Sequence, residues 1–169
     1  MIKTEKEEGI FTMDYHELEE AMAGLIGGVP HPTANLANAS ALIWETLPDL
    51  NWAGFYLEEE DGKGGRQLVL GPFQGRPACI EIPWGRGVCG TAAAAGKTQL
   101  VPDVHLFPGH IACDAASASE IVVPLKREDG SVFGVMDLDS PIRGRFTDED
   151  RDGLERIARL IEREIRGAF

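Results

Sequence analysis

Three kinds of side chain in this sequence can do chemistry together: thiols, closely spaced carboxylates and aromatic rings. The cysteines stand at positions 79, 89 and 113. Cys113 lies in "GHIACDAASASE", among small, polar and acidic residues that offer little to bury it. An accessible thiol with a stabilised thiolate is a nucleophile or an oxidisable centre, so this position reads as reactive more than as packing. Cys89, in "GRGVCGTA", follows glycine-rich backbone at the start of a helical stretch. Free N–H groups and the positive end of the helix dipole would favour its thiolate there, although tight Gly and Cys packing explains the position equally well. Cys79 heads the apolar run "CIEIPW", where a buried thiol acting as a small hydrophobe is the plainer reading.

In "VMDLDS", Asp137 and Asp139 alternate with Met136 and Leu138, so strand geometry points both acids to one side of a sheet. Such neighbours repel unless a positive charge stands between them, and a bound ammonium group would supply it. An ordinary strand with a wet face is the alternative. Glu120 opens the preceding strand, and hairpin pairing can bring it to the same patch, though a solvated strand end accounts for it as well. Trp52 and Tyr56 are four apart and share a strand face, as core or as an apolar wall for a small side chain. A zinc site built from Cys79, Cys89 and Cys113, completed by His105 or His110, lacks the close-spaced ligand pair usual in structural sites, and no metal is expected.

The elements that must position these groups follow from periodicity. Residues 14–28 open with an Asp cap and close on Gly27-Gly28, a short amphipathic helix. A second helix carries Leu36, Ala39, Ile43 and Leu47 at helical spacing and ends at Pro48. Runs at 51–57, 66–73, 79–84, 98–102, 120–126 and 132–140 are rich in β-branched and aromatic residues and predict strands. "EEDGKGG" and "REDGS" are hairpin links, which makes most neighbours antiparallel. "GVCGTAAAAGK" suits a short helix, and from Thr147 a capping box leads into a long one with Leu154, Ile157, Ile161 and Ile165 on one stripe. Residues 104–119 form a long connection without a clean period, the kind that is often functional. The expectation is one α+β domain over residues 1–169, with a mainly antiparallel six-stranded sheet, terminal helices on one face and ligand loops on the other. Residues 1–13 read as an N-terminal extension free to be flexible.

Bulk properties narrow the partners. With 169 residues, 43% hydrophobic and 26% charged, the chain can bury a core without staples. A net charge of −12 repels phosphate backbones and anionic headgroups, so neither nucleic acid nor a membrane is an expected partner. No secretory signal is read at the start, which predicts a cytoplasmic location, where persistent structural disulfides are rare.

The succession "NWAGFYL", "LVLGPFQGRPACIEIPWGRGVCGTAA", "VPDVHLFPGHIACDAASASEIVVPL", "GVMDLDSP" and "RFTDED" closely resembles the free methionine-(R)-sulfoxide reductases, which are built on a GAF domain. The resemblance implies reduction of free L-methionine (R)-sulfoxide to methionine, with no bound cofactor and with electrons from thioredoxin. Carried over residue by residue, Cys113 matches the attacking thiol, Cys79 a partner in the recycling disulfide and Cys89 the remaining redox cysteine. Glu120, Asp137 and Asp139 match the pocket acids, of which one would protonate the sulfoxide oxygen. Trp52 and Tyr56 match the aromatic wall. Whether Cys113 meets Cys79 or Cys89 first stays open, and so does the identity of the proton donor. The family also suggests a homodimer. The rival reading is a GAF module that senses a small ligand without chemistry; such modules usually carry an output domain, and none is expected here.

Overall fold

The structure, a computed structural model, describes residues 14–169. The N-terminal extension read over residues 1–13 lies outside the described residues. Helix α1 (Tyr15–Ile26) is fixed at its start by a capping box in which Asp14 accepts from the Glu17 N–H and Glu17 accepts from the Asp14 N–H. The chain then leaves the helix at Gly27-Gly28, as the sequence predicts. Helix α2 (Pro32–Thr46) starts on a proline, whose missing N–H is no loss in a first turn, and stops before Leu47-Pro48.

Six strands follow: β1 (Trp52–Glu60), β2 (Arg66–Gly75), β3 (Glu81–Pro83), β4 (Gln99–Val101), β5 (Ser119–Lys126) and β6 (Val132–Ser140). Helix α3 (Gly87–Ala95) lies between β3 and β4, and α4 (Asp148–Glu164) closes the fold. The sheet order is β3-β2-β1-β6-β5-β4, with every neighbouring pair antiparallel. Both tight links are closed by Asp side chains. Asp61 Oδ1 accepts from the N–H groups of Lys63 and Gly65, and Asp129 Oδ1 accepts from that of Ser131.

Alternation along the strands divides the molecule into two cores. Ala53 and Phe55 of β1, Ile121, Val123 and Leu125 of β5, and Met136 and Leu138 of β6 face α1, α2 and α4. Trp52, Tyr56, Val122 and Val135 face the other way, toward α3 and the long connection after β4. Terminal helices therefore cover one face and the loops the other, with α3 added to the loop side. The α4 stripe of Leu154, Ile157, Ile161 and Ile165 is buried against the chain's own sheet. Among the described residues no helix is long and apolar enough to cross a membrane.

The helix layer closes at one tight point. The Tyr15 hydroxyl donates to Asp150 Oδ1 at 2.7 Å, and Asp150 also accepts from Arg145 Nη1 at 3.1 Å. A Cβ on Gly153 would stand 2.2 Å from ring carbons of Tyr15, so α1 rests on α4 where no side chain exists. Alanine at that position should destabilise the protein by about 1–3 kcal/mol through overpacking, although helix propensity alone would favour it. Urea unfolding checks this; a neutral or stabilising Gly153→Ala would show that Tyr15 moves aside freely.

Candidate active site

Antiparallel register sets the site. Trp52 of β1 pairs with Asp139 of β6, and Asp139 pairs with Glu120 of β5, so the three side chains form one row across adjacent strands. Asp137 stands two residues along β6, opposite Gly54 and Val122, on the same face. The two carboxylates of "VMDLDS" do share a side, and Glu120 joins them. A Cβ on Gly54 would lie 2.3 Å from Phe73 Cβ, so glycine is what allows β1 and β2 this close approach. The missing side chain also leaves Trp52 and Tyr56 free to stack across it, with ring centroids 5.7 Å apart. Tyr56 donates to the Cys79 carbonyl at 2.9 Å, which ties the aromatic wall to the cysteine segment.

The floor of this pocket is not the wet strand face that the sequence also allowed. Glu120 and Asp137 are buried, and Asp139 is half-buried. No lysine or arginine lines the pocket among the described residues. Burial, followed by the charges of Asp137 and Asp139, pushes the Glu120 carboxyl well above its ordinary range. Burial, then Asp137 and Asp114, does the same to Asp139, while Asp137 is raised by burial alone and held back by its hydrogen-bonding neighbours. Uncompensated, desolvated carboxyls prefer their protons. Among the described residues His110 is the one nitrogen base lining the pocket, with Nε2 3.9 Å from Glu120 Oε2. Burial and then His105 push its imidazole below the usual value, so it stays neutral more readily. Two buried polar atoms in the pocket have no partner: Trp52 Nε1, a donor, and Asp137 Oδ1, an acceptor.

Cys79 and Cys113 are joined by a disulfide with Cα atoms 5.4 Å apart. This is one of the two pairings the sequence left open, and Cys89 is free and buried. One expectation is corrected. The strand read over 79–84 shortens to β3, because Cys79 leaves the ladder to meet Cys113 and the next side chain, Ile80, is 69% exposed. The helix start read for Cys89 is present, since it lies in the first turn of α3, but of the two readings left open the buried, packed thiol is the one observed. Its Sγ lies 3.9 Å from Glu120 Oε1, and burial, then Asp137 and Glu120, pushes the thiol well up. The zinc set of three thiols is also excluded here, since two of the sulfurs are bonded to each other. Cys89, Glu120 and Asp137 are the described residues whose ligand atoms cluster closely enough for a metal.

The connection carrying Cys113 is held at a few points. It begins with the 3₁₀ turn Val104–Leu106, capped by Asp103. Asn51, just before Trp52, donates through Nδ2 to Asp114 Oδ2 at 3.2 Å and Ser117 Oγ at 3.1 Å. Sequence reasoning named neither Asp114, Ser117 nor His110 as part of the pocket, nor Asn51 as the residue that braces its loop. The turn-forming Asp114, which accepts from the Ala116 N–H, was the readable signal. The space enclosed between loop and sheet is about 40 Å³, room for a few waters.

A GAF domain family model matches residues 33–166. A relative from Escherichia coli strain K12, "Free methionine-R-sulfoxide reductase", is 53% identical over 151 residues, covering 89% of this chain and 88% of its own. The fRMsr of Staphylococcus aureus, solved in complex with substrate, superposes with a TM-score of 0.83 at 49% identity, over 90% of this chain and 95% of that one. The free methionine-R-sulfoxide reductase from Neisseria meningitidis, in complex with its substrate, gives 0.84 at 39% identity, over 97% and 93%.

The buried acids set a pH signature. A carboxyl whose folded pKa is raised adds stability below its unfolded pKa and loses it as pH rises through the folded value. Glu120 and Asp139 should therefore make the protein less stable near pH 8 than near pH 5, opposing the ordinary acid-denaturation trend. Glu120→Gln removes one such titration, so its gain over the parent should be larger at the higher pH, a few degrees in Tm for roughly 1 kcal/mol. Thermal unfolding at both pH values measures this, and a pH-independent difference would mean that Glu120 is ionised without penalty.

Proposed function

Because this chain belongs to the GAF domain family and joins Cys79 to Cys113 beside a pocket of buried acids, we propose that it reduces free L-methionine (R)-sulfoxide to methionine. The observation that carries the reading is that disulfide. A sensing module needs no paired cysteines at its ligand pocket, whereas a thiol reductase must end each turnover with them oxidised. The relatives from Escherichia coli, Staphylococcus aureus and Neisseria meningitidis bear the same activity in their names, and two are solved with substrate.

The chemistry needs a nucleophile and an acid. The Cys113 thiolate attacks the sulfoxide sulfur while a carboxylic acid protonates the oxygen; methionine leaves and Cys113 carries the oxygen as a sulfenic acid. The Cys79 thiol attacks that sulfur, water leaves, and the disulfide forms. Two thiols have then lost two electrons to the sulfoxide, and thioredoxin returns them by thiol–disulfide exchange, becoming oxidised itself. No bound cofactor enters. Glu120 is the proton donor in this scheme, since it is buried, holds its proton and reaches both Cys89 and His110. Asp137 and Asp139 face the substrate ammonium, and the Trp52 and Tyr56 rings hold the methyl end. Cys89, buried with a raised thiol, acts outside the disulfide step. The homodimer belongs to the same proposal.

Cys113→Ser should reduce methionine formation to background even in a single turnover. Cys79→Ser should keep that first turnover, accumulate a sulfenic acid that dimedone traps, and lose recycling by thioredoxin. Single-turnover activity in Cys113→Ser would remove it as the nucleophile. Glu120→Gln should lower kcat by about 10²–10⁴, the usual worth of a general acid, whereas Asp139→Asn should act mainly on KM. NADPH consumption with thioredoxin and its reductase, on the free R epimer, the free S epimer and a peptide-bound sulfoxide, tests the whole reading; no turnover of the free R form would sink it.

A further inference from the structure

We propose that Cys89, Glu120 and Asp137 form a binding site for a borderline-soft divalent cation, zinc being the natural fit, on the floor of the pocket. The site does not depend on the reductase reading. One ligand atom from each residue lies within 4.8 Å of the other two, and all three residues are buried. Ligands at roughly 2.0–2.3 Å from a tetrahedral zinc stand about 3–4 Å from one another, so small rotations complete the geometry. The three side chains come from α3, β5 and β6, which are packed elements of the scaffold.

Independent observations point to a cation at this place. Asp137 is 5% exposed, and its Oδ1 is buried without a hydrogen-bond partner. No lysine or arginine among the described residues lines the pocket to neutralise its acids. A cavity of about 40 Å³ adjoins the cluster, enough for water to take the open coordination position. The donor set also selects among metals. A thiolate with two carboxylates suits zinc or cobalt, while magnesium and calcium prefer oxygen alone.

Binding is an exchange of protons for metal with no change of oxidation state. The cation takes the place of the Cys89 thiol proton and of any proton on the two carboxyls, and the released protons go to solvent. The Cys79–Cys113 bond removes the other two sulfurs from competition, so the oxidised protein presents this site by itself. A cation held there would occupy the acids that otherwise face an ammonium group.

The test is titration of the full-length disulfide form with Zn²⁺ against a chromophoric chelator, and with Co²⁺ followed by absorbance. One equivalent of Zn²⁺ should bind, Mg²⁺ should not compete, and Co²⁺ should give thiolate-to-metal charge-transfer absorption. Cys89→Ser should abolish that absorption and weaken Zn²⁺ by at least roughly 10- to 100-fold, the scale on which even outer-shell losses weaken metal sites. Asp137→Asn should weaken Zn²⁺ similarly while keeping the absorption, which guards against misfolding of the serine variant. The proposal is overturned by a disulfide form that binds no Zn²⁺, by a Co²⁺ spectrum without a thiolate band, or by affinity unchanged in both variants.

Discussion

Burying several carboxyl groups together with no positive side chain among them is the constraint on which the rest of this structure depends. Glu120, Asp137 and Asp139 meet on one sheet face because β5 and β6 pair as they do. Each raises the cost of ionising the others. A protein of net charge −12 has ample water-facing positions for acids, so placing three beneath a loop works against stability and calls for a reason in function. Held protonated, a carboxyl donates; once a cation or ammonium group arrives, it pairs. The same cluster could serve both proposed chemistries because no lysine or arginine among the described residues lines the pocket to neutralise it.

The helix-side core enforces that arrangement. Met136 and Leu138 alternate with Asp137 and Asp139 and are buried beneath α1, α2 and α4. A one-residue slip of β6 would turn the acids into that apolar core and the apolar side chains into the pocket. Burial of Met136, Leu138, Ile121 and Val123 against the helices thus holds the register in which Trp52, Asp139 and Glu120 form a row. Gly54 adds a condition on the other side of β1, since any side chain would collide with Phe73 and displace β2. The aromatic wall and the acid floor are set by one antiparallel ladder.

How much was legible in the sequence follows from this physics. Period-two alternation reveals which residues share a face, so the Asp137 and Asp139 pair and the Trp52 and Tyr56 pair were readable from four or five letters each. Capping boxes at Asp14 and Thr147 mark helix starts because they are local. The family resemblance supplied the roles of the cysteines. What stayed hidden depends on segments distant along the chain. Whether Glu120 is solvated or buried is decided by the loop laid over it. The choice of Cys79 over Cys89 as the partner of Cys113 rests on where β3 is released from the ladder. The state of Cys89 stayed open because its local signal, a helix start, competes with carboxyls from β5 and β6 and loses to burial.

The two free-standing demands on this pocket explain why its parts are carried differently. Acids that must hold protons and aromatic rings that must hold shape come from strands whose partners on both sides are fixed. In the proposed cycle Cys113 would meet the sulfoxide sulfur in one step and Cys79 in the next, and a strand position would satisfy only one of those geometries. It sits on a connection tied by Asn51 to Asp114 and Ser117, by the Ala118 N–H donating to the Ser140 carbonyl, by the Val104 N–H donating to the Ala118 carbonyl, and by the Cys79–Cys113 bond. With that bond reduced, the remaining ties would flank Cys113, at Val104 on one side and from Asp114 to Ala118 on the other. Glu120, seven residues on, is held by its pairing with Asp139 whatever the loop does.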